Sequence, residues 1–118
     1  MPILWLPMRI LFDNGTPRQL RPRLFNHEVE ETRGRGWDTL SNGELLDRAE
    51  EAGFDVLLTT DQSLRYQQNM SNRRIAVVVL MNADWNRISR QTELIRSSLD
   101  GLQPGEVREV PIPVRGES

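Results

Sequence analysis

The chain has 118 residues, a net charge of −2 and no cysteine. A chain of this length forms one domain, and the lack of cysteine excludes disulfides, thiolate metal sites and cysteine nucleophiles. All 15 basic residues are arginine, which excludes chemistry that needs a lysine amine, such as a Schiff base or a P-loop phosphate clamp. The arginine excess is typical of a GC-rich genome, and it also suits phosphate recognition at a local patch.

Residues 1–7, MPILWLP, are an apolar N-terminal extension ahead of a single predicted domain at 8–118. The segment is short, is interrupted by Pro2 and Pro7, and lacks the basic start of a secretory signal. We therefore expect a cytoplasmic protein without a membrane segment.

The domain opens with a predicted strand and a short helix. The apolar run 8–12 indicates a buried strand that ends at an Asp-Asn-Gly turn. Thr16 and Pro17 predict the N-cap and the first turn of a helix that extends to about Leu24. The sequence HEVEE, residues 27–31, has weaker support as a strand.

A predicted loop over 32–41 leads to a second helix. Ser41 and Glu44 have the capping-box spacing, apolar residues follow on one helical face, and Gly53 supplies the stop. The sequence DVLLTTD, residues 55–61, then predicts a second buried strand that ends in an acid.

The second half of the chain continues this alternation. A polar helix over about 63–69 precedes RIAVVVL, residues 74–80, which is the strongest strand pattern in the chain. Helical spacing predicts a further helix over 86–99, which Gly101 closes. Residues 106–113 predict a final strand, whose prolines suit the edge of a sheet.

The alternation of apolar strands with helices predicts the fold class. It indicates an α/β protein, a three-layer α/β/α sandwich with a mostly parallel central sheet. In open sheets of this kind, ligand sites form beyond the carboxyl ends of the strands, where the strand order switches. Asp13 and Asp61 each follow an apolar strand, so we expect both at that edge.

Other chemistries find little support in the motifs. Gly34 and Gly36 lack the third glycine of a dinucleotide fingerprint. The lone His27 fits a surface or edge residue better than a catalytic one, and no serine-histidine arrangement is present. Phosphatase and receiver-domain chemistry would need a lysine. Metal-dependent cleavage of a phosphodiester remains. In this chemistry, acids at strand ends hold Mg²⁺ or Mn²⁺, and the ion polarises a phosphoryl oxygen of the substrate.

Three short segments follow one another in a particular order: DNGTP at 13–17, NGELL at 42–46 and TTDQS at 59–63. Their counterparts in a known family are an Asp-Glu-Asn-x-Pro turn after a strand, an Asp-x-Glu-x-Leu helix start and a strand that ends Thr-x-Asp-x-Asp. With this order and spacing, residues 8 to about 80 resemble the PIN-like domains, specifically small bacterial PIN-like proteins related to toxin-antitoxin ribonucleases.

The resemblance implies a Mg²⁺- or Mn²⁺-dependent endoribonuclease, with the toxin of a toxin-antitoxin pair as one role. It implies Asp13, Glu44 and Asp61 as catalytic residues, and these three with Asn42 as metal ligands. The implied partners are single-stranded or structured RNA and a small antitoxin protein. A homodimer is left open, and no membrane partner is expected.

Three positions depart from the family pattern. Asn14, Asn42 and Ser63 stand where the family tends to have acids, and each replacement removes negative charge from the implied metal site. The alternative is therefore a PIN-like protein with weakened catalysis that acts as a protein- or RNA-binding module.

Each remaining acid also has a structural interpretation. Glu44 could serve the capping box alone, Asp61 could be the N-cap of the following helix, and Asp13 could be a turn-forming aspartate. For substrate binding we expect Arg18 beside Asp13, and Arg65 and Tyr66 after Asp61, where an aromatic ring could stack on a base. A solvated helix face is the alternative for the last two.

Overall fold

The computed structural model describes residues 7–64 and 69–113. At its centre lies a sheet of five strands in the order β2-β1-β3-β4-β5, and every neighbouring pair is parallel. The strands are β1 (Arg9–Phe12), β2 (Glu28–Glu31), β3 (Val56–Thr59), β4 (Ala76–Leu80) and β5 (Val107–Val110). The predicted α/β class with a parallel sheet is confirmed.

In the described part of the chain, three α-helices and two 3₁₀ segments connect the strands. The helices are α1 (Asn42–Glu51), α2 (Trp85–Ile88) and α3 (Thr92–Ser98), and the 3₁₀ segments are Arg18–Arg23 and Thr32–Arg35. Of the polar helix predicted over 63–69, residues 65–68 lie outside the described part of the chain. Within the described ranges, every helix is too short or too polar to cross a membrane.

The first connection differs from the predicted helix. It is a 3₁₀ segment that contains Pro22, whose missing N–H and bulky ring oppose an α-helical turn at this position. Thr16 is not its N-cap, because Pro17 occupies that position without a side-chain hydrogen bond. The Thr16 hydroxyl instead donates to the Leu58 carbonyl at 2.9 Å, and so ties the turn after β1 to β3.

The helix predicted over 86–99 is two helices. Asp84 caps α2, and its side chain accepts a hydrogen bond from the Asn86 N–H. The Gln91 N–H donates to the Ile88 carbonyl at 2.9 Å, an i to i−3 bond that closes this short helix. The chain then begins α3 at Thr92.

The sheet separates two apolar clusters. Side chains of α1 pack with Leu11 and Leu57 on one face, whereas the first 3₁₀ segment, α2 and α3 contribute to the cluster on the other face. The central strands β3 and β4 are buried at every position, as expected for parallel strands that are covered on both sides. The edge strand β2 buries only Val29 fully, which explains why its sequence pattern is weak.

The strand order determines where a site can form. From β1 the chain adds β2 on one side and β3, β4 and β5 on the other, so the switch in strand order lies between β1 and β3. Residues 13 and 61 follow these two strands at their carboxyl ends. Sheets of this kind bind ligands at such a switch.

Candidate functional site

Asp13 is held firmly in the turn after β1. Its N–H donates to the Leu58 carbonyl at 3.0 Å, which extends the pairing of β1 with β3 by one residue. One carboxylate oxygen, Oδ2, accepts from the Thr59 hydroxyl at 2.8 Å, and Oδ1 accepts from the Asn14 N–H at 2.8 Å. Both oxygens thus have fixed positions, and each keeps acceptor capacity for another ligand.

Thr59 connects the two acids of this edge. Its hydroxyl donates to Asp13 and accepts from the Asp61 N–H at 3.0 Å. The residue is fully buried. Its hydroxyl needs partners inside the protein, and these two hydrogen bonds provide them. The sequence interpretation matched Thr59 to the first residue of the Thr-x-Asp-x-Asp pattern but gave it no role at the site; the signal was a hydroxyl residue at the end of an otherwise apolar strand.

Asp61 lies within reach of the start of α1. Its Oδ1 accepts from the Ser63 hydroxyl at 2.6 Å and from the Ser63 N–H at 3.0 Å, and its Oδ2 accepts from Asn42 Nδ2 at 3.3 Å. The Ser63 hydroxyl, followed by the Asn42 amide and the Ser63 N–H, lowers the pKa of the Asp61 carboxyl, and partial burial opposes this shift. Asp61 is therefore a carboxylate at neutral pH.

Asn42 reaches Asp61 because it is the first residue of α1. The helix begins there since Ser41 is its N-cap and forms a full capping box with Glu44. The structure thus brings Asp13, Thr59, Asp61 and Asn42 into one hydrogen-bonded chain.

Glu44 takes part in the capping box rather than in this chain of hydrogen bonds. Its Oε1 accepts from the Ser41 hydroxyl at 2.9 Å and from the Ser41 N–H at 3.3 Å. The Ser41 hydroxyl in turn accepts from the Glu44 N–H at 3.4 Å. These bonds account for a glutamate at this position without a metal.

Asn14 fastens the following loop to the turn after β1. Its Oδ1 accepts from the Thr32 hydroxyl at 2.9 Å, and its Nδ2 donates to the Asp38 carbonyl at 2.7 Å. An aspartate or glutamate here could not donate the second of these bonds. The amide at position 14 therefore has a structural use that a carboxylate could not replace.

Gly15 lets the turn after β1 approach the end of β3. A Cβ at this position would lie 2.7 Å from the Thr60 hydroxyl oxygen, which is closer than non-bonded atoms tolerate. The backbone conformation is an ordinary one, so space and not torsion angle requires the glycine.

A surface cleft of about 260 Å³ opens over the turn after β1. Its polar lining includes Asp13, Asn14, Arg18, Glu31 and Arg33. Arg18 is the predicted substrate residue that the structure places here, and its guanidinium pairs with Glu31 at 3.0 Å. The other two predicted substrate residues, Arg65 and Tyr66, lie outside the described residues.

The donor atoms at this edge are carboxylate, amide and hydroxyl oxygens. Oxygen donors suit Mg²⁺ or Mn²⁺ and do not suit soft metals. Over residues 7–64 and 69–113, no three His, Cys, Asp or Glu side chains form a group that could hold a metal ion. Asp13 and Asp61 supply two carboxylates at this edge and belong to no such group.

No protein-family model matches the chain, and comparisons with curated proteins and with solved structures give no significant match.

Proposed function

We propose that this chain is a PIN-like protein with a three-layer α/β/α architecture, and that it is a Mg²⁺- or Mn²⁺-dependent endoribonuclease. The observation that supports this most is the Thr59 hydroxyl, which joins the Asp13 carboxylate to the Asp61 backbone at the switch in strand order. RNA as substrate, a small antitoxin as partner and the cytoplasm as location belong to the same proposal.

In this proposal Asp13 and Asp61 hold the ion, and Asn42 orients Asp61. A bound Mg²⁺ or Mn²⁺ would supply Lewis-acid polarisation of a phosphoryl oxygen. The chain's own contribution is preorganisation: hydrogen bonds from Thr59 and Asn14 fix the Asp13 carboxylate, and bonds from Ser63 and Asn42 fix that of Asp61. Carboxylates held in this way need not reorganise when a cation binds.

The substrate would approach through the cleft beside Asp13. Arg18 lines this cleft, and a guanidinium can hold two phosphate oxygens at once. The Arg18 pair with Glu31 is exposed on the arginine side, so exchanging this partner for a phosphate carries a small cost.

A second candidate is an RNA- or protein-binding module with weakened catalysis. Two observations favour it: the Glu44 carboxylate is engaged in the capping box, and the Asn14 amide is engaged by Thr32 and Asp38. Two anionic ligands in place of a larger set would reduce metal affinity.

The deciding experiment combines metal-dependent melting with cleavage. We expect Mn²⁺ to raise the melting temperature, because an ion that binds only the folded chain stabilises it. We expect single-stranded RNA to be cleaved with Mn²⁺ and not with EDTA. Asp13→Asn and Asp61→Asn should lose both effects. Glu51→Gln, an exposed carboxylate at the other end of α1, should keep both.

The outcomes separate the two candidates. A melting shift without cleavage, or RNA binding without any metal response, favours the binding module over the nuclease. Circular dichroism of the two aspartate variants checks that the fold persists, so that a loss of cleavage reports on the site.

A further inference from the structure

The cleft beside Asp13 continues into a second one. The second cleft, of about 420 Å³, shares Arg18, Glu31 and Arg33 with the first and extends to Arg21. The two clefts therefore form one groove, hereafter the β2 groove, which leads from Asp13 across the carboxyl end of β2.

Most of the charge in the β2 groove is neutralised internally. Arg18 and Arg21 both pair with Glu31, at 3.0 and 3.5 Å. The two guanidiniums thus share one carboxylate, which leaves this trio with a net positive charge.

Besides Asp13 and Glu31, the groove is lined by a third acid, Glu30, which is also paired. Its carboxylate binds Arg35 at 2.7 Å and Arg9 at 3.2 Å. The side-chain hydrogen bond from Arg35 is the main cause of the lowered pKa of Glu30. The charge of Glu30 is therefore balanced by Arg35 and Arg9, and Glu30 does not neutralise the other arginines of the groove.

Arg33 is the cation of the groove that lacks a counter-ion. The side chain is exposed, and within residues 7–64 and 69–113 it makes no ion pair or side-chain hydrogen bond. Thr32, its neighbour, donates its hydroxyl to Asn14 at 2.9 Å and anchors the backbone beside the turn of Asp13. A free guanidinium is thus presented on a fixed backbone next to the candidate cation site.

We propose that Arg33 binds a phosphate of single-stranded RNA, next along the strand from the phosphate at Asp13, and that the RNA follows the β2 groove towards Arg21. This inference rests on the proposed function and assigns the path of its substrate. A polyanion suits the groove because one phosphate would meet the cation that Asp13 and Asp61 are proposed to hold, and another would meet Arg33. The chain as a whole carries a charge of −2, so the attraction is local to this groove.

The test measures RNA binding apart from cleavage. A short fluorescein-labelled single-stranded RNA is titrated with the full chain in Ca²⁺, a hard cation that also takes oxygen ligands. Anisotropy is followed at several salt concentrations, and a gel checks that the RNA stays intact. Arg33→Gln should weaken binding about fivefold and reduce the salt slope by about 0.7, the value for one phosphate contact on a single strand. Arg74→Gln should change neither quantity, because Arg74 is an exposed arginine just before β4, at the amino end of the parallel strands and so at the opposite end of the sheet from the groove.

A variant with the opposite sign sharpens the test. Glu31→Gln should tighten RNA binding, because it releases Arg18 and Arg21 from their shared carboxylate. Unchanged binding in Arg33→Gln, or no RNA binding by the unmodified chain, would overturn the inference. Melting curves of each variant check that the fold is kept, as expected for Arg33, whose side chain makes no ion pair or hydrogen bond within residues 7–64 and 69–113.

Failure of this inference and failure of the proposed function look different. If the chain cleaves RNA with Mn²⁺ but Arg33→Gln binds RNA normally, the nuclease stands and the path through the β2 groove is wrong. If Arg33→Gln weakens binding and no variant or condition gives cleavage, Arg33 is a phosphate-binding residue of a non-catalytic module.

Discussion

Thr59 donates its hydroxyl hydrogen to Asp13 across a gap of 46 residues in sequence, at 2.8 Å. The bond connects the last residue of β3 with the first residue after β1. Because the same hydroxyl accepts from the Asp61 N–H, a single buried oxygen positions parts of both acids.

Replacing Thr59 by valine keeps the shape and removes the hydroxyl. Asp61 N–H then lacks its acceptor and Asp13 loses a donor, so we expect a loss of about 1–3 kcal/mol in the free energy of unfolding. Urea denaturation measures this quantity. Thr39→Val, at an exposed position, should stay within about 0.5 kcal/mol of the unmodified chain. Equal stability of the two variants would contradict a structural role for the hydroxyl.

Variants of Glu44 distinguish a helix cap from a metal ligand. Glutamine can form the same capping box, so Glu44→Gln should leave stability nearly unchanged, whereas Glu44→Ala should lose about 1 kcal/mol. Thermal and urea unfolding measure both. The capping role further predicts that the Mn²⁺-dependent rise in melting temperature survives in Glu44→Gln. Loss of that rise in a stable Glu44→Gln protein would show that the carboxylate binds the ion.

Gly15→Ala tests the close approach of the two turns. The added methyl group would lie 2.7 Å from the Thr60 hydroxyl oxygen, and we expect a destabilisation of about 1–3 kcal/mol from the forced shift. Thr60→Ala removes that oxygen and should recover much of the loss in the double variant. Gly34→Ala is the matched control, because a Cβ there meets nothing within 4 Å. Additive effects at 15 and 60 would argue against this contact.

The stability of the chain should depend on pH through its one histidine. His27 Nδ1 accepts from the Met8 N–H at 3.0 Å, and burial lowers the pKa of His27 below 6.5, although nearby Asp100 opposes the shift. As the pH falls through 6.5, the unfolded chain therefore takes up the proton first. The contribution of His27 to the free energy of unfolding should be fully present above that pH. It should be lost as the pH falls from there to the lowered pKa of the folded chain.

Chemical denaturation at a series of pH values above the range of carboxylate titration measures this decline. His27→Gln has no group that titrates in the window, so its stability should be flat there. A decline of equal size in His27→Gln would assign the effect to other groups.

The inner strands of the sheet could be predicted from the sequence, because β1, β3 and β4 are apolar in a way that burial on both faces explains. The runs around β1, β3 and β4 gave their positions, and the prolines after residue 110 agreed with an edge strand. The capping box of Ser41 and Glu44 located the start of α1 correctly. These signals come from residues close together in sequence, so they can be interpreted without knowledge of the tertiary structure.

Features that depend on distant partners were not predictable in the same way. Thr16 resembles an N-cap in sequence, yet its hydroxyl finds the Leu58 carbonyl of a neighbouring strand. The helical spacing over 86–99 did not reveal the break before Thr92. At the site, Asp13 and Asp61 were expected at one edge from topology alone, but the bridging role of Thr59 requires the β1–β3 register, which no local pattern encodes.

The pairing of β1 with β3 also bears on how the chain acquires its site. Everything from residue 14 to residue 55 must be looped out before Leu11 can align with Leu57, and closing a loop of that length is slow compared with forming a helix. During synthesis, a chain still lacking β3 has the Asp13 carboxylate but neither Thr59 nor Asp61 to complete its surroundings. A nascent chain would thus lack the candidate cation site until the third strand has emerged, and the proposed activity would have to wait until the sheet has closed.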